Sequence, residues 1–417
     1  MQFLNLFFLL VMKIVEVLTK QQKKEFIDFP KRLYKDDTCW VCPLDVSIES
    51  VFNPAVNHSF KHGVAVRWLL QNDTGVTIGR VAAFIDEIRS AANSQPTGGM
   101  GYFEVIDSRN AAFMLFDTAK NWLHERGCEA MDGPINFGEN DTNWGLLVDG
   151  FVQQGYGMPY HKKYYRSFFE EYGFKTYFEQ YSYHRMVRDE NNRITDFPAR
   201  IMKIAKWLSD RQGYTFRHLE MSNAEKYIND IVEIYNATWS VFKQDFTPLD
   251  KTILYETLND AKAIIDEEII WFAYHKEKPI SFFIVFPDAN QILKHLNGKL
   301  HLWNKLKFLY YKLTHKMTRV RALVGGVHPA HQNSGVESAL FYQFYQVFKR
   351  KPWITEAELS WTGDFNPKMI AIYEAIGATR AKTHITFRYM INKDLIFKQY
   401  KDEMHDLMKK PSKKTDV

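Results

Sequence analysis

Val327-His328-Pro329-Ala330-His331-Gln332-Asn333-Ser334-Gly335-Val336-Glu337 is the stretch on which the reading of this chain turns. Upstream of it Arg319 to Val327 reads as a strand, and downstream Gly335 to Phe348 repeats its apolar residues at helical spacing. A turn at such a junction can aim successive backbone N–H groups at an anion. The helix N-terminus adds partial positive charge, and Gly335 admits close approach. The segment therefore reads as an anion cradle, with Val327, Gln332, Asn333, Ser334, Gly335 and Val336 as its lining.

Working outward, Glu356 to Trp361 is expected as a strand, Pro367 to Ile376 as a helix stopped by Gly377, and Ala381 to Tyr389 as a strand. Before the cradle come a strand from Tyr214 to Glu220, a helix from Ala224 to Ser240 and a hairpin of Ile269–Tyr274 with Ile280–Phe286. An earlier run follows the same order. Gly63 to Leu70 and Val76 to Ile85 form a hairpin around Asn72-Asp73-Thr74-Gly75, and Tyr102 to Ile106 is a strand. Then come a helix from Arg109 to Arg126 ended by Gly127, a strand from Glu129 to Asp132, a helix from Tyr164 to Tyr172 closed by Gly173, and a strand from Phe174 to Val187. Glu170, Gly173, Tyr183, Met186 and Val187 echo Glu374, Gly377, Phe387, Met390 and Ile391 at constant offset, on the same helix, stop and strand of each run. The expectation is an α/β protein with an α+β mixed sheet built twice: residues 12–190, residues 191–392, and a basic tail at 393–417.

Composition agrees with two folded units. The 417 residues are 46% hydrophobic and 25% charged, which excludes disordered and collagen-like chains. Aromatics reach 15%, enough to suggest flat apolar surfaces for a ligand or a membrane. Net charge is +5 but unevenly placed: no Asp or Glu occurs from Ala289 to Val336, while Lys294, Lys299, Lys305, Lys307, Lys312, Lys316, Arg319 and Arg321 do. Three cysteines are too few for a disulfide scaffold and point to a reducing, cytoplasmic place; Cys39 and Cys42 have no second pair for zinc. The apolar run Leu6 to Val11 is shorter than the roughly 20 residues of a spanning helix, and a start at Met12 would leave the fold whole.

The pattern Val327-x-Pro329-x-x-Gln332-x-x-Gly335 resembles the pyrophosphate-loop signature of the GNAT superfamily of acyl-CoA N-acyltransferases, with Glu337 in place of the usual small final residue. The Asn366 to Tyr373 spacing, two helical turns on one face, also matches that superfamily. The resemblance implies two tandem GNAT domains and acyl-CoA as co-substrate, without a metal. It assigns Asn366 to the cofactor arm and Tyr373 to protonation of the leaving thiolate, while a helix-capping Asn and a core Tyr are the alternative reading of the pair. The earlier turn, Glu104-Val105-Ile106-Asp107-Ser108-Arg109, lacks Gln-x-x-Gly and is acidic, so that half is expected to bind no CoA and to brace its partner or shape the acceptor pocket.

That half instead carries Asp132-Gly133-Pro134-Ile135-Asn136-Phe137-Gly138-Glu139-Asn140-Asp141-Thr142-Asn143-Trp144. Carboxylates and amides beside glycines and a Trp suit a polar amine: Glu139 or Asp141 as general base, with His161 behind them, and Asn136, Asn140 and Trp144 as acceptor contacts. The same residues also suit a turn that bonds its own backbone. With Phe29-Pro30, Leu33-Tyr34, Asp37, Trp40-Val41 and Pro43-Leu44, this loop is similar to a bacterial subfamily that includes ceramide synthases, implying a long-chain acyl group passed to a sphingoid base. Acetylation of a small amine, FemAB-like aminoacyl transfer and a non-catalytic acyl-CoA or membrane-binding module are the alternatives. Leu302 to Leu313 places apolar residues every three or four positions among lysines, which fits either a core helix with a basic outer face or contact with an anionic membrane at its inner face. Nucleic acid is not expected as a partner, since the aromatics there sit at helical spacing rather than on a strand platform.

Overall fold

The computed structural model describes residues 12–138, 145–240 and 248–409. Its strands in chain order are β1 Lys13–Glu16, β2 Gly63–Gln71, β3 Thr77–Asp86, β4 Thr97–Val105, β5 Ala130–Gly133, β6 Leu146–Asp149, β7 Lys175–Met186, β8 Tyr214–His218, β9 Ile270–His275, β10 Lys278–Pro287, β11 Arg319–Val327, β12 Glu356–Gly363 and β13 Thr379–Met390. They join into a continuous mixed sheet ordered β1-β2-β3-β4-β5-β13-β7-β12-β11-β10-β9-β8, with β6 also on β13.

Among the described residues two contacts in this sheet are parallel, β4 with β5 and β11 with β12. Each is brief: Thr97↔Ala130 to Gly99↔Asp132 in the first half, Arg319↔Glu356 to Arg321↔Glu358 in the second. Beyond those residues the paired strands part, so each half has a split in its sheet. A bulge lies within each split, at Tyr102–Phe103 opposite Val81 and at Leu323 opposite the Ile284/Val285 step.

The halves exchange their last strands. β13 lies between β5 and β7, in register from Phe387↔Gly133 to Met390↔Ala130, while β7 lies against β12. A buried ion pair fastens the exchange: the Arg388 guanidinium donates to both oxygens of Asp132 at 2.6 and 2.8 Å, to Glu403 at 3.2 Å and to Asn93 at 2.9 Å, and stacks on Tyr177. These acids hold Arg388 above its ordinary pKa against the cost of burial.

Helices complete the layers. Arg109–His124 turns Ala111, Ala112, Leu115, Phe116, Ala119 and Leu123 inward at helical spacing onto β3 and β4. Val336–Arg350 does the same in the second half with Val336, Ala339, Leu340, Phe344 and Val347. Lys20–Leu33 covers the opposite face over β2 and β3. Among the described residues no helix is long and apolar enough to cross a membrane.

Several elements depart from expectation. β4 starts at Thr97, ahead of Tyr102, because its glycines are needed for packing: a Cβ on Gly98, Gly99 or Gly101 would lie 2.3 Å or less from Leu123, Phe84 or the Ile135 carbonyl. Glycines in that run look like a loop in sequence. The short β6 and the helix Lys251–Ala261 were not anticipated. Within the segment read as a tail, Tyr400–Lys409 is a helix whose Glu403 is buried against Arg388 and the Tyr177 hydroxyl.

Candidate active site

The cradle begins where β11 ends. His328 N donates to the Ile280 carbonyl at 2.8 Å, which keeps the chain against β10 for one residue beyond the strand. A short 3-10 turn, Pro329–His331, follows; then Asn333 and Gly335 take left-handed backbone at φ 61° and 88° before the helix Val336–Arg350 starts. Gly335 is required twice over, because its φ disfavours a side chain and a Cβ would lie 2.5 Å from Ile204 Cγ2 on the bridging helix Ala199–Ser209. Gly335 is also the N-cap and offers no side-chain acceptor to the first amides of the helix. Beside it, the buried Ser334 Oγ has no hydrogen-bond partner among the described residues. Amides without a cap and a hydroxyl without a partner form a donor set that fits a pyrophosphate. Gln332 reaches back to the Val327 carbonyl at 3.4 Å, bracing the turn.

Glu337 lies in the first helical turn, and its own backbone N–H donates to its carboxylate. Burial pushes its carboxyl above the usual range, which favours the neutral form. His275 and His331 meet edge to face near the turn, their centroids 5.3 Å apart, and burial with the neighbouring His275 and His328 holds His331 below the ordinary imidazole value.

From the cradle β11 runs back along the split, where Leu323, Val324, Gly325 and Val327 are only partly covered. On the helix Pro367–Ala375, Tyr373 is buried in the same core as Val336 and Val327, its ring 5.3 Å from that of Tyr183. Burial, with a smaller contribution from Tyr183, raises Tyr373 far above the ordinary phenol range, so it is a protonated hydroxyl at neutral pH. Tyr183 Oη is buried without a hydrogen-bond partner among the described residues. Asn366 caps the Tyr373 helix, its Oδ1 accepting from Met369 N at 3.2 Å, which is the capping use of such an Asn.

No family model matches the chain. It is 27% identical to the bacterial ceramide synthase of Caulobacter vibrioides over 382 residues, covering 89% of this chain and 96% of that one. It is 26% identical to Protein YghO of Escherichia coli over 381 residues, 90% of this chain and 94% of that one. Among solved structures, a tandem GNAT protein from the clavulanic acid biosynthesis pathway matches at TM-score 0.55 and 11% identity, over 91% of this chain and 99% of the other. The glucosamine N-acetyltransferase region of a fungal β-N-acetylglucosaminidase also reaches 0.55, at 9% identity, with 91% of this chain and 38% of that one covered. The chain has the tandem GNAT fold.

The two GNAT halves treat their splits differently. In the first, Glu104 points inward and is closed in by Tyr34 and Tyr165, whose hydroxyls each donate to its carboxylate at 2.8 Å; burial raises its pKa. Val105 N donates to the Tyr165 hydroxyl at 2.9 Å, and its carbonyl accepts from Tyr164 at 2.8 Å. Ile135 N bonds the Met100 carbonyl at 2.7 Å and fills the gap between β4 and β5. The turn before the helix is capped by Ser108, whose Oγ accepts from Ala111 N. This split is therefore stopped by its own chain. Sequence reading gave two reasons for this half to bind no CoA, the missing Gln-x-x-Gly and the acidic turn; the structure adds a third, the packed Glu104, while Asp107 stays exposed beside the turn.

Of the acceptor-loop residues, Glu139, Asn140, Asp141 and Trp144 lie outside the described residues. Asn136 is described and sits against β4, its Oδ1 2.7 Å from where a Gly101 Cβ would be. His161 is buried, its Nδ1 accepting from Leu147 N at 3.0 Å, and burial with the nearby His384 pushes it down to about 3. A histidine so weakly basic is a poor proton acceptor at neutral pH. The Tyr34–Glu104–Tyr165 plug and the hydroxyl of Tyr183 escaped sequence reading because each joins residues from separate elements that no local spacing links.

Proposed function

We propose that this protein is an acyl-CoA-dependent N-acyltransferase that passes a long-chain acyl group to the primary amine of a sphingoid base. The observation that carries acyl-CoA binding is the uncapped N-terminus of Val336–Arg350, with Gly335 and the unpartnered Ser334 hydroxyl, at the mouth of a split left unplugged. The likeness to a bacterial ceramide synthase along nearly the whole of both chains supports the lipid acceptor. A lipid acceptor in turn favours a membrane-peripheral place.

In this reading Ser334, Gly335 and Val336 hold the pyrophosphate, while Val327, Gln332 and Asn333 shape the turn and Asn366 lies along the cofactor arm. The thioester then enters the split beside β11, where the bulge at Leu323 turns a backbone amide out of the ladder towards the carbonyl oxygen. The neutral amine attacks the carbonyl carbon, a C–N bond forms and the C–S bond breaks. Glu139 or Asp141 takes the amine proton, Tyr373 gives its proton to the thiolate, and Asn136, Asn140 and Trp144 contact the acceptor.

The test is release of CoA thiol by the purified protein from a long-chain or a short-chain acyl-CoA, each with and without a sphingoid amine. Amine-dependent release from the long-chain donor is the expected result. Release from acetyl-CoA alone would replace the lipid acceptor with a small amine, and no release from either donor would overturn the enzymatic reading.

A further inference from the structure

We propose that the helix Leu302–Leu313 docks this protein on an anionic lipid bilayer. Amphipathic helices in folded proteins turn their apolar side inward, but this one does the reverse. None of its residues is buried. Leu302, Trp303 and Leu313 are 70%, 76% and 69% exposed, and Leu306, Leu309 and Tyr310 are exposed with them. At about 100° of rotation per residue, these six side chains fall within an arc of about 120°.

The opposite side of the helix holds it to the body. Asn304 Nδ2 donates to the Leu296 and Lys299 carbonyls at 3.0 and 2.8 Å, Phe308 packs against the cluster of Val41, Leu293 and Leu296, and the Tyr311 ring lies tilted against His295. The outward arc is therefore fixed and cannot be turned inward by rotating the helix. It is an exposed apolar strip, and such strips on folded proteins mark contact surfaces.

Charge identifies the partner. By the same rotation, Lys305 and Lys312 border one edge of the arc and Lys307 the other, with Lys316 just beyond the helix. Lys307 and Lys312 extend their ammonium groups to the His295 and Ala263 carbonyls at 3.1 and 2.7 Å, on the body side of the strip. With no acidic residue from Ala289 to Val336, nothing in this segment repels an anionic surface. An apolar strip with Trp303 at its edge and the exposed Lys305 and Lys316 beside it, backed by Lys307 and Lys312 on the body side, matches the acyl and headgroup layers of a negatively charged leaflet. This inference takes up the membrane-peripheral place of the proposed function, yet the two fail separately, because docking is read without any acyl transfer.

The experiment is co-sedimentation of the full chain with vesicles of phosphatidylcholine alone or mixed with phosphatidylglycerol. Two further proteins are compared with it: a Trp303→Ser, Leu306→Ser, Leu309→Ser variant and a Lys305→Glu, Lys316→Glu variant. These positions are exposed, so both variants are expected to fold, as circular dichroism checks. The expected result is binding to the anionic vesicles, weakened by salt and reduced at least about tenfold in each variant, with CoA-thiol release from a soluble donor unchanged. Native protein that pellets with neither vesicle, or serine substitutions that leave pelleting unchanged, would overturn the proposal. Equal binding to both vesicles would overturn its anionic part. Conversion of a native dimer to a monomer by the serine substitutions, without a change in vesicle binding, would assign the strip to a second copy of the chain instead.

Discussion

The turn after β4 and the turn after β11 occupy the same place in the two GNAT halves, and they differ in what happens to the amides that follow. After β4 a serine caps the helix, and a carboxylate with two tyrosines fills the split. After β11 a left-handed glycine stands at the cap, the nearby serine hydroxyl has no partner, and the split is only partly covered. A shared fold thus yields one closed and one open helix terminus, and the difference resides in the contacts around residues 104–108 and 334–335. Occupancy and charge act together there, since Glu104 is packed into the split and Asp107 stays exposed before the helix.

The largest expected effect tests whether the halves are separable at all. Residues 12–190 expressed alone should show no cooperative unfolding transition, because β5 and β7 would each lose partners and Asp132 would lose Arg388. A sharp thermal transition for that fragment would break the comparison at its root. Next, Tyr373→Phe should lower kcat about a hundredfold while leaving acyl-CoA affinity unchanged, measured by thiol release and calorimetric titration. Parallel loss of affinity would make Tyr373 a binding residue.

Gly335→Ala should weaken acyl-CoA binding at least about tenfold, since the left-handed conformation and the Ile204 contact together cost about 1–2 kcal/mol or displace the helix start. Ser334→Ala should weaken binding several-fold, yet leave the Tm of the free protein unchanged or raised, because it removes a buried hydroxyl without a partner. A fall in Tm would show that the hydroxyl already has a structural use. Smallest, Ser108→Ala should cost about 1 kcal/mol of stability through the lost cap, with the number of acyl-CoA molecules bound per chain staying at one. A second bound molecule would show that the first half is not closed.

Sequence reading went furthest where the signal was local. β11 and the helix Leu302–Leu313 have the bounds that their spacing implies, and Gly173 and Gly377 both end helices with left-handed backbone, at φ 104° and 78°. It stopped where the signal was distant. The patterns of β7 and β13 are the same whichever strand lies beside them, so nothing in either segment announces the exchange. In the candidate site, Pro329 and Gly335 revealed the cradle because turn chemistry is a property of neighbours. The plug was invisible because Tyr34, Glu104 and Tyr165 converge only after folding. The direction of Leu302–Leu313 was undecided for the same reason: its periodicity shows that there are two faces, and only the packing of Asn304 and Phe308 shows which one is attached.

The exchanged strands also set a timetable. A ribosome releases β5 long before β13, since Asp132 and its partner Arg388 are 256 positions apart. During that interval β5 has an edge with no permanent neighbour and Asp132 has no counter-charge. The half with the closed split therefore cannot finish before the half with the cradle has been made. Completion of the last strand converts both from a nascent chain to a working protein at the same moment.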